Sequence, residues 1–150
     1  MASGQDVARR WARTLPTAAL LTTEDAATAV ASATEALRTA SVGMRIAVAG
    51  SVGACLQVRA ALLAAGAEED EMDFQATEHG PIDIFCAHCS TSTATHVGVD
   101  GLVPCDGCGR TLIVYHHVSR RLGKYLGFQA DAETLPGNSS LTPPASEVLS

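Results

Sequence analysis

Aromatic side chains are scarce in this 150-residue chain: one Trp, two Tyr and three Phe. The apolar share of 47% is therefore carried mainly by Ala, Val and Leu. Small side chains bury less area each, so the core is expected to need help from a metal, a partner or both. Cations are also in short supply. Ten Lys and Arg against sixteen Asp and Glu leave a net charge of −6, which argues against nucleic acid as a partner for the chain as a whole. Long apolar runs are missing too. The run from Ala18 to Leu21 is too short for the core of a signal peptide, and no segment approaches a membrane span. A leaderless start together with free thiols leads to the expectation of a reducing, cytoplasmic setting. No nucleophile stands beside a base, and the acidic run from Glu68 to Asp73 reads as a solvated connection rather than a catalytic pair. A length of 150 residues holds one domain or two very small ones.

What the chain does have is concentrated cysteine. Four of its five cysteines, Cys86, Cys89, Cys105 and Cys108, form two Cys-x-x-Cys pairs separated by fifteen residues. Two residues between cysteines let a tight turn aim both sulfurs inward. Two such turns meeting face to face make a tetrahedral four-sulfur cage. The spacer is long enough for an out-and-back hairpin. Gly109 suits the turn that it follows, whereas Ser90 takes the same place after the first pair. A closed thiolate site fits structural zinc, and four unheld thiols this close would be an oxidation hazard. Iron in a rubredoxin-like site is the alternative, and it would make the chain an electron carrier. Cys55 reads as a small buried thiol and His79 as a loop histidine. His88 and His96 lie inside the ribbon, but four thiolates leave them no vacancy.

Taken in order, residues 1–16 form a polar N-terminal arm, with Arg9, Arg10 and Arg13 around Trp11, and read as a frayed terminus. The alternative is an arm that docks Trp11 onto a partner. Residues 17–79 read as an α/β domain: a buried strand at Ala18 to Leu21, a helix from Glu24 to Thr39, a strand at Arg45 to Ala49, a helix from Val52 to Ala65 ended by Gly66, and a strand at Met72 to Ala76. That order predicts a small parallel βαβαβ unit, half of a Rossmann-like fold. The turn Gly50-Ser51-Val52-Gly53 lacks the third glycine and the ribose-binding acid of a dinucleotide fingerprint, so it reads as structural. Residues 80–128 form a β zinc ribbon, entered by Ile82 to Phe85 and left by Thr111 to Tyr115. Residues 129–150, with three prolines and many Ser and Thr, read as a disordered tail.

Beyond the second cysteine pair, His116, His117, Arg120, Arg121 and Lys124 gather positive charge in an otherwise acidic chain, with Ser119 and Tyr125 among them. Such a cluster is a solvated surface, a weak and salt-sensitive grip on phosphate, or a dock for an acidic partner or a cofactor phosphate. The interleaved hydroxyls add the directional hydrogen bonds that suit the last. Neighbouring residues on a strand face opposite ways, so His116 and His117 do not share one ion.

The stretch from Ile84 to Phe128, IFCAHCSTSTATHVGVDGLVPCDGCGRTLIVYHHVSRRLGKYLGF, resembles the C-terminal zinc-ribbon domain of the DmmA-like subunit of dimethylamine monooxygenase. The preceding AVAGSVGACLQVRAALLAAGAEEDEMDF resembles that subunit's N-terminal domain. It is also similar to the nicotinamide-binding half of ferredoxin-reductase-type flavoenzymes. It departs from them at Ala49 and Ser51, where a Cys-Gly-Pro type of turn has cysteine and proline. The resemblance implies a small zinc-binding subunit of a multi-subunit, NAD(P)H-dependent amine monooxygenase that converts dimethylamine to methylamine and formaldehyde. The role it implies is structural or in assembly. Flavin, iron-sulfur and haem groups are then expected on partners, namely a reductase and a haem subunit. Cys86, Cys89, Cys105 and Cys108 would bind zinc, and His116, His117, Arg120, Arg121, Lys124 and Tyr125 would lie on the partner surface. No catalytic or cofactor-binding residue is carried over. The competing readings are the rubredoxin-like electron carrier and a nucleic-acid-binding ribbon using Arg110, Arg120, Arg121 and Lys124.

Overall fold

The computed structural model describes residues 2–15 and 17–132. The chain is mixed α/β with two sheets. Its first half holds α1 (Gly4–Thr14), α2 (Ala26–Arg38), β1 (Ile46–Ser51), α3 (Val52–Ala64) and β2 (Met72–Glu78). β1 and β2 pair in parallel, with Ile46 opposite Met72 and Gly50 opposite Ala76, and α3 makes the crossover between them. Small residues let the helices approach closely. Ala29, Val30, Ala33 and Leu37 of α2 pack with Val58, Leu62 and Met72 in one apolar cluster.

Two expectations fail here. Residues 18–21 form no strand, and Leu20 and Leu21 are exposed. Alanine and leucine lack the β-branched or aromatic bulk that favours a strand, and no strand among the described residues pairs with this segment. The unit therefore contains one βαβ crossover rather than βαβαβ. The N-terminal segment is a helix rather than a frayed end. Ser3 and Asp6 form a reciprocal capping box at its start, and Val7 anchors it in the interior. The expected tail begins at Gln129, which closes the last strand; its residues 133–150 lie outside the described residues.

The second half is a five-stranded sheet of β3 (Ile82–Cys86), β4 (Ser92–Thr95), β5 (Leu102–Pro104), β6 (Thr111–Ser119) and β7 (Lys124–Gln129), in the order β4-β3-β7-β6-β5. β3 and β7 run parallel, and the other neighbours are antiparallel. Strand alternation sends Ile82, Ile84, Val103, Leu112 and Val114 to one face, where each is buried. Gly127 sits in that core because a Cβ there would come within 2.6 Å of Ile84 Cγ2 and 3.0 Å of Leu112 Cδ1. A bulge between Val114 and Val118 interrupts the β6–β7 ladder, so His116 and His117 fall outside its regular alternation.

The start of α3 lies under the connection to β3. A Cβ on Gly53 would collide with the Pro81 carbonyl, and one on Gly80 would meet Ser51 Cβ. Ser51 itself caps the helix, its Oγ accepting from the Ala54 N–H at 3.3 Å. The connection through Gly80 and Pro81 thus packs closely over the start of α3.

Candidate metal centre

Each Cys-x-x-Cys pair joins an antiparallel pair of strands: Cys86 ends β3 ahead of β4, and Cys105 follows β5 ahead of β6. The two turns have the same backbone plan. In the first, Ser90 N–H donates to the Cys86 carbonyl and Cys86 N–H to the Thr91 carbonyl, both at 2.9 Å. In the second, Gly109 N–H donates to the Cys105 carbonyl and Cys105 N–H to the Arg110 carbonyl, again at 2.9 Å. Gly109 has a φ of 69° and Ser90 a φ of 62°. Both therefore occupy the left-handed region, and serine takes up in the first turn the conformation that glycine adopts freely in the second.

The four sulfurs lie within 4.8 Å of one another. Cys86 Sγ is 3.9 Å from Cys108 Sγ, and Cys89 Sγ is 3.5 Å from Cys105 Sγ. A tetrahedral ion with metal–sulfur bonds of about 2.3 Å would set its sulfurs about 3.8 Å apart. The cage therefore fits such an ion, and all five cysteines are free of disulfides. Cys86 and Cys105 are buried, whereas Cys89 and Cys108 are half-buried, so one wall of the cage faces outward.

Backbone amides line this cage. The Thr91 hydroxyl and then its N–H lower the Cys89 thiol to about 6. The amides of Cys108 and Gly107 lower Cys105. Cys108, although the Arg110 N–H donates to it, is pushed up to about 11 by desolvation and by the neighbouring thiols. Cys89 and Cys105 are thus eased towards the thiolate while the neighbouring thiols hold Cys108 back from it. A bound cation would resolve that conflict.

Two further residues hold the turns against each other, and neither stands out in the sequence. Thr93, 2% exposed, accepts the Asp106 N–H on its Oγ1 at 3.0 Å. This links β4, at one edge of the sheet, to the turn that follows β5 at the other. Gly107 faces Thr91: a Cβ there would overlap its Oγ1 and lie 2.7 Å from its Cβ and 3.1 Å from Cys89 Sγ. Their signals are weak ones, a buried hydroxyl on a short strand and a glycine inside a cysteine turn. The centre thus ties the two free edges of an open sheet together.

The basic cluster is spread out by the fold. Arg120 lies 3.8 Å from Glu69, and Lys124 donates to Ser92 Oγ at 2.6 Å. Tyr125 packs against the ribbon core. His116, His117 and Arg121 are exposed, with the His116 ring 4.1 Å from that of Tyr115. His88 and His96 are exposed as well. Cys55, 7% exposed, has its thiol pushed up by burial and lies outside the cage. No helix among the described residues is long and apolar enough to cross a membrane.

The segment that builds this centre is also the one that matches known proteins. Residues 83–128 match the family described as dimethylamine monooxygenase subunit DmmA-like, C-terminal domain. The chain is 38% identical over 98 residues to the heme-dependent oxidative N-demethylase delta subunit of Ectopseudomonas mendocina (strain ymp). That alignment covers 65% of this chain and 54% of the relative, so the chain spans about half the length of the curated relative it matches. No solved structure gives a significant match. The four-cysteine segment, residues 83–128, is thus similar to the DmmA-like C-terminal domain family.

Proposed function

We propose that this chain is a zinc-binding small subunit of a multi-subunit, NAD(P)H-dependent amine monooxygenase acting on dimethylamine, in which it has a structural or assembly role. The observation that carries the reading is the four-sulfur cage, all atoms within 4.8 Å, inside the segment that matches the DmmA-like domain. A closed set of four thiolates leaves no open coordination position, which suits a structural ion rather than a catalytic one. When bound, the ion supplies cross-linking and charge neutralisation. Cys86 and Cys89 would hold it from one strand pair, and Cys105 and Cys108 from the other.

The relative's name, a delta subunit of a heme-dependent oxidative N-demethylase, supports haem in the assembly and the existence of other subunits; in this reading the haem sits on a partner, and a reductase partner passes electrons from the nicotinamide through flavin and iron-sulfur groups. The covered start of α3 supports placing nicotinamide binding there too, away from this chain. Free thiols support the cytoplasm as its setting. The test combines metal analysis with reconstitution. Purified protein is expected to carry about one zinc per chain and no visible colour, whereas four-thiolate iron would absorb visible light and bleach on reduction. Adding this chain to the other subunits of the demethylase is expected to raise NAD(P)H-dependent formaldehyde release from dimethylamine. Iron in place of zinc, or turnover indifferent to the chain, would refute the reading.

A further inference from the structure

Helix α3 is shared by the two halves of the molecule. Its buried residues are Gly53, Cys55, Val58, Ala60 and Leu62, spread too widely around the helix for a single apolar stripe. Val58 and Leu62 belong to the cluster with Ala67 and Met72 in the first half. Gly53, Leu56, Gln57 and Ala60 recur at i, i+3, i+4 and i+7 and so make a second face. That face meets the ribbon. Gly53 lies against the Pro81 carbonyl, and a Cβ on Gly123, in the turn between β6 and β7, would come within 2.5 Å of the Leu56 carbonyl oxygen and 3.1 Å of Ala60 Cβ. Gln57 donates to Asp83 of β3 at 3.4 Å, and Val52 packs against the ribbon core. Just past the helix, Glu69 accepts from Arg59 and lies 3.8 Å from Arg120, so one carboxylate bridges α3 and the turn that follows β6.

The two halves depend on this helix in series. β1 and β2 pair with no strand of the ribbon among the described residues, and two strands gain independent stability only by packing against a helix. The first sheet therefore needs α3. The second face of α3 is in turn covered by β3, its lead-in and the turn before β7. Cys86 ends β3, the strand that carries Asp83, and is opposite Gly127 of β7, the strand that starts directly after Gly123. The first cysteine turn and the contacts on α3 thus lie along the same two strands.

We infer that α3 transmits metal occupancy from the ribbon to the α/β unit: the ion that closes the sulfur cage also decides whether β1, β2 and α3 stay folded, and the turn at Gly123, seated on Leu56 and Ala60, carries the effect. The inference rests on the reading of the cage as a metal site. It makes the α/β unit a metal-dependent element, although it supplies no ligand to the ion.

The experiment takes the full, zinc-loaded chain through a chelator titration, reading metal content, amide hydrogen exchange of each element and Trp11 emission. Trp11 is the one tryptophan in the chain and sits in α1, which rests on β1 where a Cβ on Gly4 would come within 2.6 Å of the Ala49 carbonyl oxygen. Removing the ion is expected to speed exchange about tenfold or more in β1 and β2 as well as in β6 and β7, and to shift Trp11 emission at the same chelator concentration. Returning zinc restores both. Gly123→Ala is expected to speed exchange in β1 and β2 with the ion still bound; if that variant does not fold, the wild-type titration decides alone. Metal loss that opens the ribbon while β1 and β2 keep their exchange rates within about twofold overturns the inference and leaves the structural metal site standing. Unchanged exchange in a folded Gly123→Ala chain overturns the route through the turn. A chain that holds no ion as purified and takes up none from added zinc overturns both the inference and the reading beneath it.

Discussion

Gly107 gives the sharpest test of how the metal cage is held. Replacing it with alanine would place a methyl group over Thr91 Oγ1, 2.7 Å from Thr91 Cβ and 3.1 Å from Cys89 Sγ. Rotating the Thr91 side chain moves its hydroxyl but not its Cβ, so the two turns must separate. Overpacking of this kind costs about 1–3 kcal/mol. The strain exists only when the turns close on the ion, so it is expected in metal affinity: roughly 5- to 150-fold weaker, at about 1.4 kcal/mol per decade. Gly109 is the control. A Cβ on Gly109 would meet nothing within 4 Å, and the position asks only for a φ of 69°. Asparagine visits that region readily, and Ser90 already occupies it in the other turn, so Gly109→Asn is expected to stay within about threefold of wild type. The assay is competition for zinc against a chromophoric chelator at fixed pH. Gly107→Ala binding within threefold of wild type, or Gly109→Asn binding more weakly than Gly107→Ala, would refute this account of the turn contact.

Acidification is expected to release the ion, because protons compete for the thiolates. The Thr91 hydroxyl is the largest influence lowering Cys89 to about 6. Thr91→Val therefore raises that thiol, lets it protonate at higher pH, and moves the midpoint of metal release upward in a pH titration; a downward move would contradict the assignment. In the core, Gly127→Ala pushes a methyl group to 2.6 Å from Ile84 Cγ2 and is expected to cost about 1–3 kcal/mol in urea unfolding, with unchanged stability as the refuting result. The isolated chain is expected to leave NADPH fluorescence unaltered across a titration, since Ser51 and the Pro81 carbonyl occupy the start of α3. A saturable change would show that this start opens.

The four-sulfur cluster was legible because cysteine spacing is chemistry written locally: a short turn of fixed length aims two sulfurs the same way. Helices α2 and α3 and strands β1 and β2 were legible from periodicity and from their Gly66 and Gly53 punctuation. The strand expected at residues 18–21 was not there, because a short apolar run specifies a strand only if something pairs with it. Helix α1 was hidden by its arginines, although Ser3 and Asp6 carried the capping signal. β7 was missed because residues 116–128 drew notice for their charge, while alternation through Tyr125, Leu126, Gly127 and Phe128 assigns two faces. The apolar row on the outer face of the five-stranded sheet could not be read at all from one strand. It exists only once Leu102, Ile113 and Phe128 are brought level by pairing between strands distant in sequence.

The tie between the sheet's two margins bears on what metal shortage would do. β4 and β5 have four and three residues, and each has one side with no strand beside it. With the sulfur clamp gone, the Asp106 N–H bond to Thr93 Oγ1 is left as the direct link between the two margins, and free amides and carbonyls on the short strands become templates for pairing with other chains. Starved cells would then accumulate this polypeptide as insoluble clumps, and the shortage would be felt as missing protein before it was felt as slow chemistry.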